Sequence, residues 1–287
     1  MRAETFVPGH ISAVFRPVRG DSPRNTGSLG LGIRLSLGCR ASVSVRDDDA
    51  IRIMIDGKEC EAPVTRKAVE SMNPGTGLDI SLEHDLPMSQ GYGTSASGTY
   101  AAVLCVAALT GSGQEDAILA AHEAECTMGG GLGDLLAIDS GYGVPVRYVA
   151  GPPRILGKTS DSGLVFEDLT LITFDKPLKT ESVLSDPVAM EKVVQAGDEA
   201  LEMFREDGTL DGFFRASNMF SEKIGLESED VREGLERLWS TGYHAAMCML
   251  GNSIFTDAPY DEAKKLFPRA DVVRCSSYSE PITVRTF

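Results

Sequence analysis

The chain has 287 residues, 42% of them hydrophobic, enough for one large core or two medium ones, and ordinary domain sizes favour two lobes. A formal net charge of −15 opposes phosphate-backbone binding through a general basic surface, which argues against a nucleic-acid partner. Six scattered cysteines (Cys39, Cys60, Cys105, Cys126, Cys248, Cys275) form no C-x-x-C pair, so neither a zinc site nor a disulfide framework is expected and a reducing, cytoplasmic setting fits best.

Met1 to Thr5 runs into no apolar signal core, and the longest apolar run, Tyr100 to Leu109, is too short to span a bilayer, so no membrane role is expected. Residues 1–40 carry six arginines and no lysine against Glu4 and Asp21, although the rest of the chain is acidic. Such a segment suits fork-shaped recognition of a carboxylate or phosphate, while for any single arginine plain surface solubility is an equal reading. Alternation through Ile33, Leu35, Leu37 and Ala41, Val43, Val45 predicts a long strand, and Ile51, Ile53, Ile55 before Asp56-Gly57 predicts another ending in a tight turn. Helical spacing follows over Pro63 to Asn73, a strand over Leu78, Ile80, Leu82, and a helix over Ser95 to Leu109 that is apolar on every face and therefore buried. A helix from Glu115 to Thr127 leads into the glycine-rich run 129–133, and Val144 to Val149 reads as a strand. After Pro152-Pro153 come a strand at Leu169 to Phe174, helices near Val188 to Phe204, Leu210 to Glu222 and Asp230 to Leu238, and strands near Ala245, Asp271 and Ile282. Trp239 falls in that last helical pattern and is expected in the core. The fold class is α+β, with a sheet-rich lobe over residues 1–160 and a second α+β lobe over 161–287.

Leu86 to Gly98 sets Gly91 and Gly93, with the hydroxyls of Thr94, Ser95 and Ser97, at the start of the buried helix. Glycines let a backbone curl against a phosphate, and the unbonded N–H groups of the helix start, with its dipole, favour an anion. A bare Gly-x-Gly would be read as an ordinary capped helix start. Here the pattern is richer: P-x-x-x-G-x-G-x-S-A-S followed by a small-residue helix resembles the ATP-binding motif of the GHMP kinases. No Walker-type or protein-kinase motif competes with it. The resemblance implies ATP at Gly91, Gly93, Thr94, Ser95, Ala96 and Ser97, with Ser95 on the Mg2+ side. It also implies a two-lobed GHMP kinase fold, an N-terminal ATP-binding and catalytic domain (1–160) and a ferredoxin-like C-terminal domain (161–287). Tyr92 stands where leucine or isoleucine is commoner, a change expected to be tolerated if the ring packs outward.

Alcohol phosphorylation needs a carboxylate at the attacking hydroxyl and an oxygen ligand for the metal. Ala120 to Glu125 ends a helix and Gly129 to Asp134 presents one acid on a glycine-rich turn, similar to the family's helix glutamate, glycine loop and catalytic aspartate. By that resemblance Asp134 is catalytic and a helix glutamate binds the metal. Glu123 and Glu125 project to different faces. Glu125 matches the family's A-E pair, and Glu123 stays open.

Pro8-Gly9-His10, Gly27-Ser28-Leu29-Gly30-Leu31-Gly32, Ala121 to Glu125 and Met249 to Phe255 resemble pantoate kinases of archaea across nearly the whole chain. That resemblance implies phosphorylation of the small hydroxy acid pantoate in coenzyme A biosynthesis, with homoserine or mevalonate-type substrates, or a catalytically silent regulator, as the competing readings. Arg24 is the first choice for the substrate carboxylate, with Arg19 weaker, and His10 and Ser28 complete the expected substrate contacts. For His10, a structural histidine at a strand start is an equal reading. Superfamily resemblance implies a homodimer.

Overall fold

The computed structural model describes residues 1–176 and 187–287. Two long strands organise it, β1 (Arg2–Val18) and β2 (Gly27–Val45), paired antiparallel along almost their full lengths. At about 3.3 Å per residue, each spans far more than one ordinary core. Chain order continues with β3 (Ile51–Ile55), β4 (Lys58–Glu59), α1 (Pro63–Ser71), β5 (Leu78–His84), α2 (Thr94–Thr110), α3 (Gln114–Met128), α4 (Asp134–Asp139), β6 (Pro145–Val149) and β7 (Lys158–Asp161). After these come β8 (Leu169–Thr173), α5 (Pro187–Asp207), α6 (Leu210–Ile224), α7 (Glu229–Ser240), β9 (Ala245–Met247), β10 (Ser253–Thr256), α8 (Tyr260–Leu266), β11 (Asp271–Cys275) and β12 (Val284–Thr286).

The first sheet runs β12-β1-β2-β5-β3-β4, with β6 paired to β2 and β7 to β6. The second is antiparallel, in the order β11-β8-β10-β9. That order, with α5 to α7 and α8 as crossovers, is the ferredoxin-like β-α-β-β-α-β unit, so the α+β expectation holds. Helix α2 is buried on nearly every face, as its composition requires.

Two hydrophobic cores divide the long strands between them. Ala3 and Val7 of β1 pack with Ile53, Leu82, Tyr100 and Val103 beneath α1 to α3. Ile11, Val14 and Phe15 of the same strand pack with Leu31, Phe213 and Phe255 against the second sheet. His10 lies where β1 passes from one core to the other, and the β1–β2 register shifts between Pro8 and His10, a bulge of the kind that re-aims a side chain.

The last residues return to the first sheet. β12 pairs with β1, Tyr278 N donates to Arg34 O (2.8 Å), and the buried Arg34 guanidinium donates to Tyr278 O (2.9 Å) and Glu280 O (2.8 Å). A division of the chain at residues 160 and 161 is therefore crossed by this tail. Trp239 departs from expectation: it is 44% exposed. Val231, Leu235 and Leu238 form the buried stripe of α7, and Trp239, one residue past it, only bonds back through Nε1 to Ala245 O (3.2 Å).

Candidate active site

The loop from β5 to α2 is clamped from both sides. His10 N donates to Tyr92 O (3.0 Å), while Ser253 Oγ donates to Gln90 O (2.6 Å) and Asn252 N to Gln90 Oε1 (3.0 Å). Gly91 and Gly93 have φ of 80° and 63°, in the left-handed region. A Cβ at Gly93 would come within 3.0 Å of His10 O, and one at Gly91 within 2.9 Å of the carbonyls of Cys248 and Met249, so neither position has room for a side chain. Gly93 caps α2 without any side-chain bond, which leaves the N–H groups of Thr94, Ser95 and Ala96 without helical partners. Such a helix start is able to seat an anion. Ala96 and Ser97 turn their side chains into the protein, Ser97 Oγ donating to Thr94 O (3.2 Å). Tyr92 does not pack outward. It is 1% exposed, and its hydroxyl shares a 2.6 Å hydrogen bond with Thr173 of β8, tying the loop to the second sheet.

Glu125 reaches this seat from α3. Its Oε1 accepts from Ser95 Oγ (2.7 Å) and its Oε2 from Gly131 N (3.0 Å). Burial pushes the carboxyl up to about 7, with the nearby charge of Asp134 adding to the rise. Asp134 opens α4 rather than sitting on a turn; Oδ1 accepts from His10 Nδ1 (2.7 Å), and Oδ2 has no partner among the described residues. Burial works against ionising Asp134, but the His10 hydrogen bond and the Arg147 charge outweigh it and hold the carboxyl below its ordinary value. A side chain at Gly130 would overlap Glu125 Oε2, and one at Gly131 would overlap Asp134 Oδ2. The glycine run is thus the space both carboxylates occupy.

Among the described residues, no group of three or more His, Cys, Asp or Glu side chains is placed to hold a metal ion. Ser95 and Glu125 nonetheless present adjacent hard oxygens in front of the anion seat. That set fits a magnesium ion, which keeps waters and phosphate oxygens as its other ligands.

Arg147, on β6, was not among the residues expected from sequence. It stands opposite Gly30 in the β2–β6 register and is 1% exposed. One terminal nitrogen donates to His10 Nε2 (3.2 Å) and the other to Ser12 Oγ (3.3 Å), while Nε is buried without a partner among the described residues. Burial lowers its pKa to about 10, against the opposing pull of Asp134. The signal was present in sequence as a lone arginine in the Val144–Val149 strand and as Gly30 and Gly32 between Leu29, Leu31 and Ile33, which mark close backbone approach. Side chains there would overlap Arg147 and His10.

His10, expected to touch substrate, is fully buried with both ring nitrogens engaged, and stands behind Asp134 rather than before it. Ser28 is also buried, its hydroxyl donating to Leu29 O (2.8 Å) and its Cβ packed near Gly133. Arg24 lies on the 3-10 turn Pro23–Asn25, exposed, with Nε 3.4 Å from Glu123 Oε1. The helix glutamates therefore part company: Glu123 faces Arg24, and Glu125 alone faces Ser95. His122 anchors that turn, its Nε2 lying 3.0 Å from Pro23 O and 3.1 Å from Thr26 O.

Comparison with known proteins identifies the family. Residues 63–142 match the GHMP kinases N terminal domain. The pantoate kinase of Thermococcus kodakarensis is 31% identical over 278 residues, 92% of this chain and 90% of that protein. That of Methanospirillum hungatei is 30% identical over 264 residues, covering 88% and 86%. A solved structure described as a phosphotransferase related to the CoA biosynthesis pathway superposes with a TM-score of 0.88 at 28% identity, over 99% of both chains. The two-sheet fold is that of a small-molecule kinase, and the chain belongs to the GHMP kinase family, whose members use ATP. Within that family it is similar to pantoate kinases along nearly its whole length.

Proposed function

We propose that the protein is a pantoate kinase, converting ATP and (R)-pantoate to ADP and 4-phosphopantoate in coenzyme A biosynthesis. The observation that carries the reading is the free Oδ2 of Asp134 beside the Ser95–Glu125 pair at the open N-terminus of α2, joined to relatives named pantoate kinase.

Phosphoryl transfer asks a protein mainly for positioning and charge neutralisation. The N–H groups following Gly93 bind the phosphates, with Gly91 shaping the loop that aims them. Ser95 and Glu125 would hold Mg2+, which when bound neutralises phosphate charge. Asp134 orients the substrate hydroxyl through Oδ2 and takes its proton as the oxygen bonds to the γ-phosphorus and the bond to the β–γ bridging oxygen breaks. Arg24, exposed on its turn, takes the substrate carboxylate, exchanging it for Glu123, and Ser28 lines the same side.

The test is ADP release with magnesium-ATP, comparing pantoate, homoserine, mevalonate and phosphomevalonate. Turnover with pantoate alone supports the reading; turnover with another alcohol keeps the kinase and removes pantoate; none with any points to a silent nucleotide-binding protein.

A further inference from the structure

Arg147 and His10 are both shut off from solvent, so neither touches a substrate in this conformation. Yet the glycines at 30, 32 and 133 leave room for these two side chains, since a Cβ at each would crowd the guanidinium or the imidazole. A guanidinium has only donors, so where it meets His10 Nε2 at 3.2 Å that nitrogen must be the bare acceptor. The ring proton is then on Nδ1, 2.7 Å from Asp134 Oδ1. A second ring proton would set an N–H against the arginine donor, so the imidazole stays neutral, and its burial acts in the same direction. Oδ1 is thereby occupied, and Oδ2 alone is left facing the glycine loop.

We infer that Arg147 is a positioning residue that acts on Asp134 through His10: it fixes the imidazole proton on Nδ1, and that proton holds the carboxylate ionised with Oδ2 turned to the substrate. This rests on the kinase reading for its consequence in turnover but not for its tautomer.

The first measurement is the imidazole nitrogen spectrum of 15N-labelled protein without ligands. His10 is expected with Nδ1 protonated and Nε2 bare; a proton on Nε2, or on both, overturns the inference, and neither result needs turnover, so a failed substrate assay would leave it standing. Arg147→Met is then expected to redistribute the proton and to lower kcat about 10- to 100-fold, the scale of a small misplacement of a reacting group, with the KM for the acid little changed. Arg147→Lys, which keeps a donor, is expected to restore the tautomer and most of kcat. In a His10→Asn background the amide N–H takes the place of Nδ1–H with no tautomer to set, so Arg147→Met should cost little more. A raised KM with kcat intact would make Arg147 a substrate ligand instead, and an equal loss in both backgrounds would show that it does not act through His10.

Discussion

Asp134 has one oxygen committed to His10 and one open, which is the arrangement a hydroxyl-orienting carboxylate needs. Asp134→Asn keeps the shape and removes the charge and the proton acceptor. It is expected to lower kcat about 10²- to 10⁴-fold, the usual worth of a positioned base, with KM for ATP nearly unchanged in steady-state ADP-release kinetics. A different histidine, His244, bears on how stability depends on pH. His244 bonds through Nδ1 to Asp257 Oδ2 (2.7 Å) and through Nε2 to Asp211 Oδ1 (2.9 Å), stacked on Phe214. Its pKa is raised, first by the Asp257 hydrogen bond. The folded state therefore binds this proton more tightly than the unfolded chain. The stability it contributes is full below the unfolded value of about 6.5 and is lost as pH rises through the higher folded value. His244→Gln should flatten denaturant-measured stability across that interval and leave the pH dependence elsewhere unchanged.

At the scale of elements, α2 does two jobs that pull in opposite directions. Its body is anchored by burial, from Ala96 through Ala107, while its N-terminus is left without a side-chain cap and held open by glycine. An N-cap serine or aspartate would be worth roughly 0.5–2 kcal/mol to an ordinary helix; here such a side chain would meet the carbonyl of His10 and fill the anion seat. Gly93→Ala brings the methyl group within 3.0 Å of that carbonyl and forces a left-handed residue, at a cost of about 1–2 kcal/mol. The expected result is a lower thermal midpoint together with a raised KM for ATP, since the loop must shift to admit the methyl. A fall in stability with ATP binding intact would separate the loop's shape from its phosphate contacts.

Over the whole molecule, the site is placed by β1 and β2 running through both cores, and by a chain end that closes back on the first sheet. Arg34 fastens that closure through the carbonyls of Tyr278 and Glu280. Arg34→Met removes the charged donor from the carbonyls of Tyr278 and Glu280 and is expected to cost about 2–4 kcal/mol, the scale of losing hydrogen bonds from a charged donor. Hydrogen exchange should then rise first over residues 276–286, before the second sheet loosens. Among the described residues no helix is long and apolar enough to cross a membrane, in keeping with the shortness of the apolar runs. Most strands and helices were legible because periodicity reports burial, and the loop at 86–98 and the run at 129–134 stood out because glycines set beside hydroxyls or acids are conspicuous within a short stretch of chain. Tyr92 and Trp239 were misjudged for the same reason in reverse: an aromatic in a pattern says nothing of which surface will cover it. By itself, the sequence carried the α+β fold class, and its family resemblance pointed to the glycine loop at 86–98, to Asp134 and to one of two helix glutamates, because those signals lie within short stretches of chain. Only the tertiary structure decided that Glu125 rather than Glu123 meets Ser95, and that His10 stands behind Asp134 with Arg147 behind it. Those contacts join residues 124 and 137 positions apart, and strand pairing, which fixes them, is a property of the folded sheet rather than of any local stretch of chain.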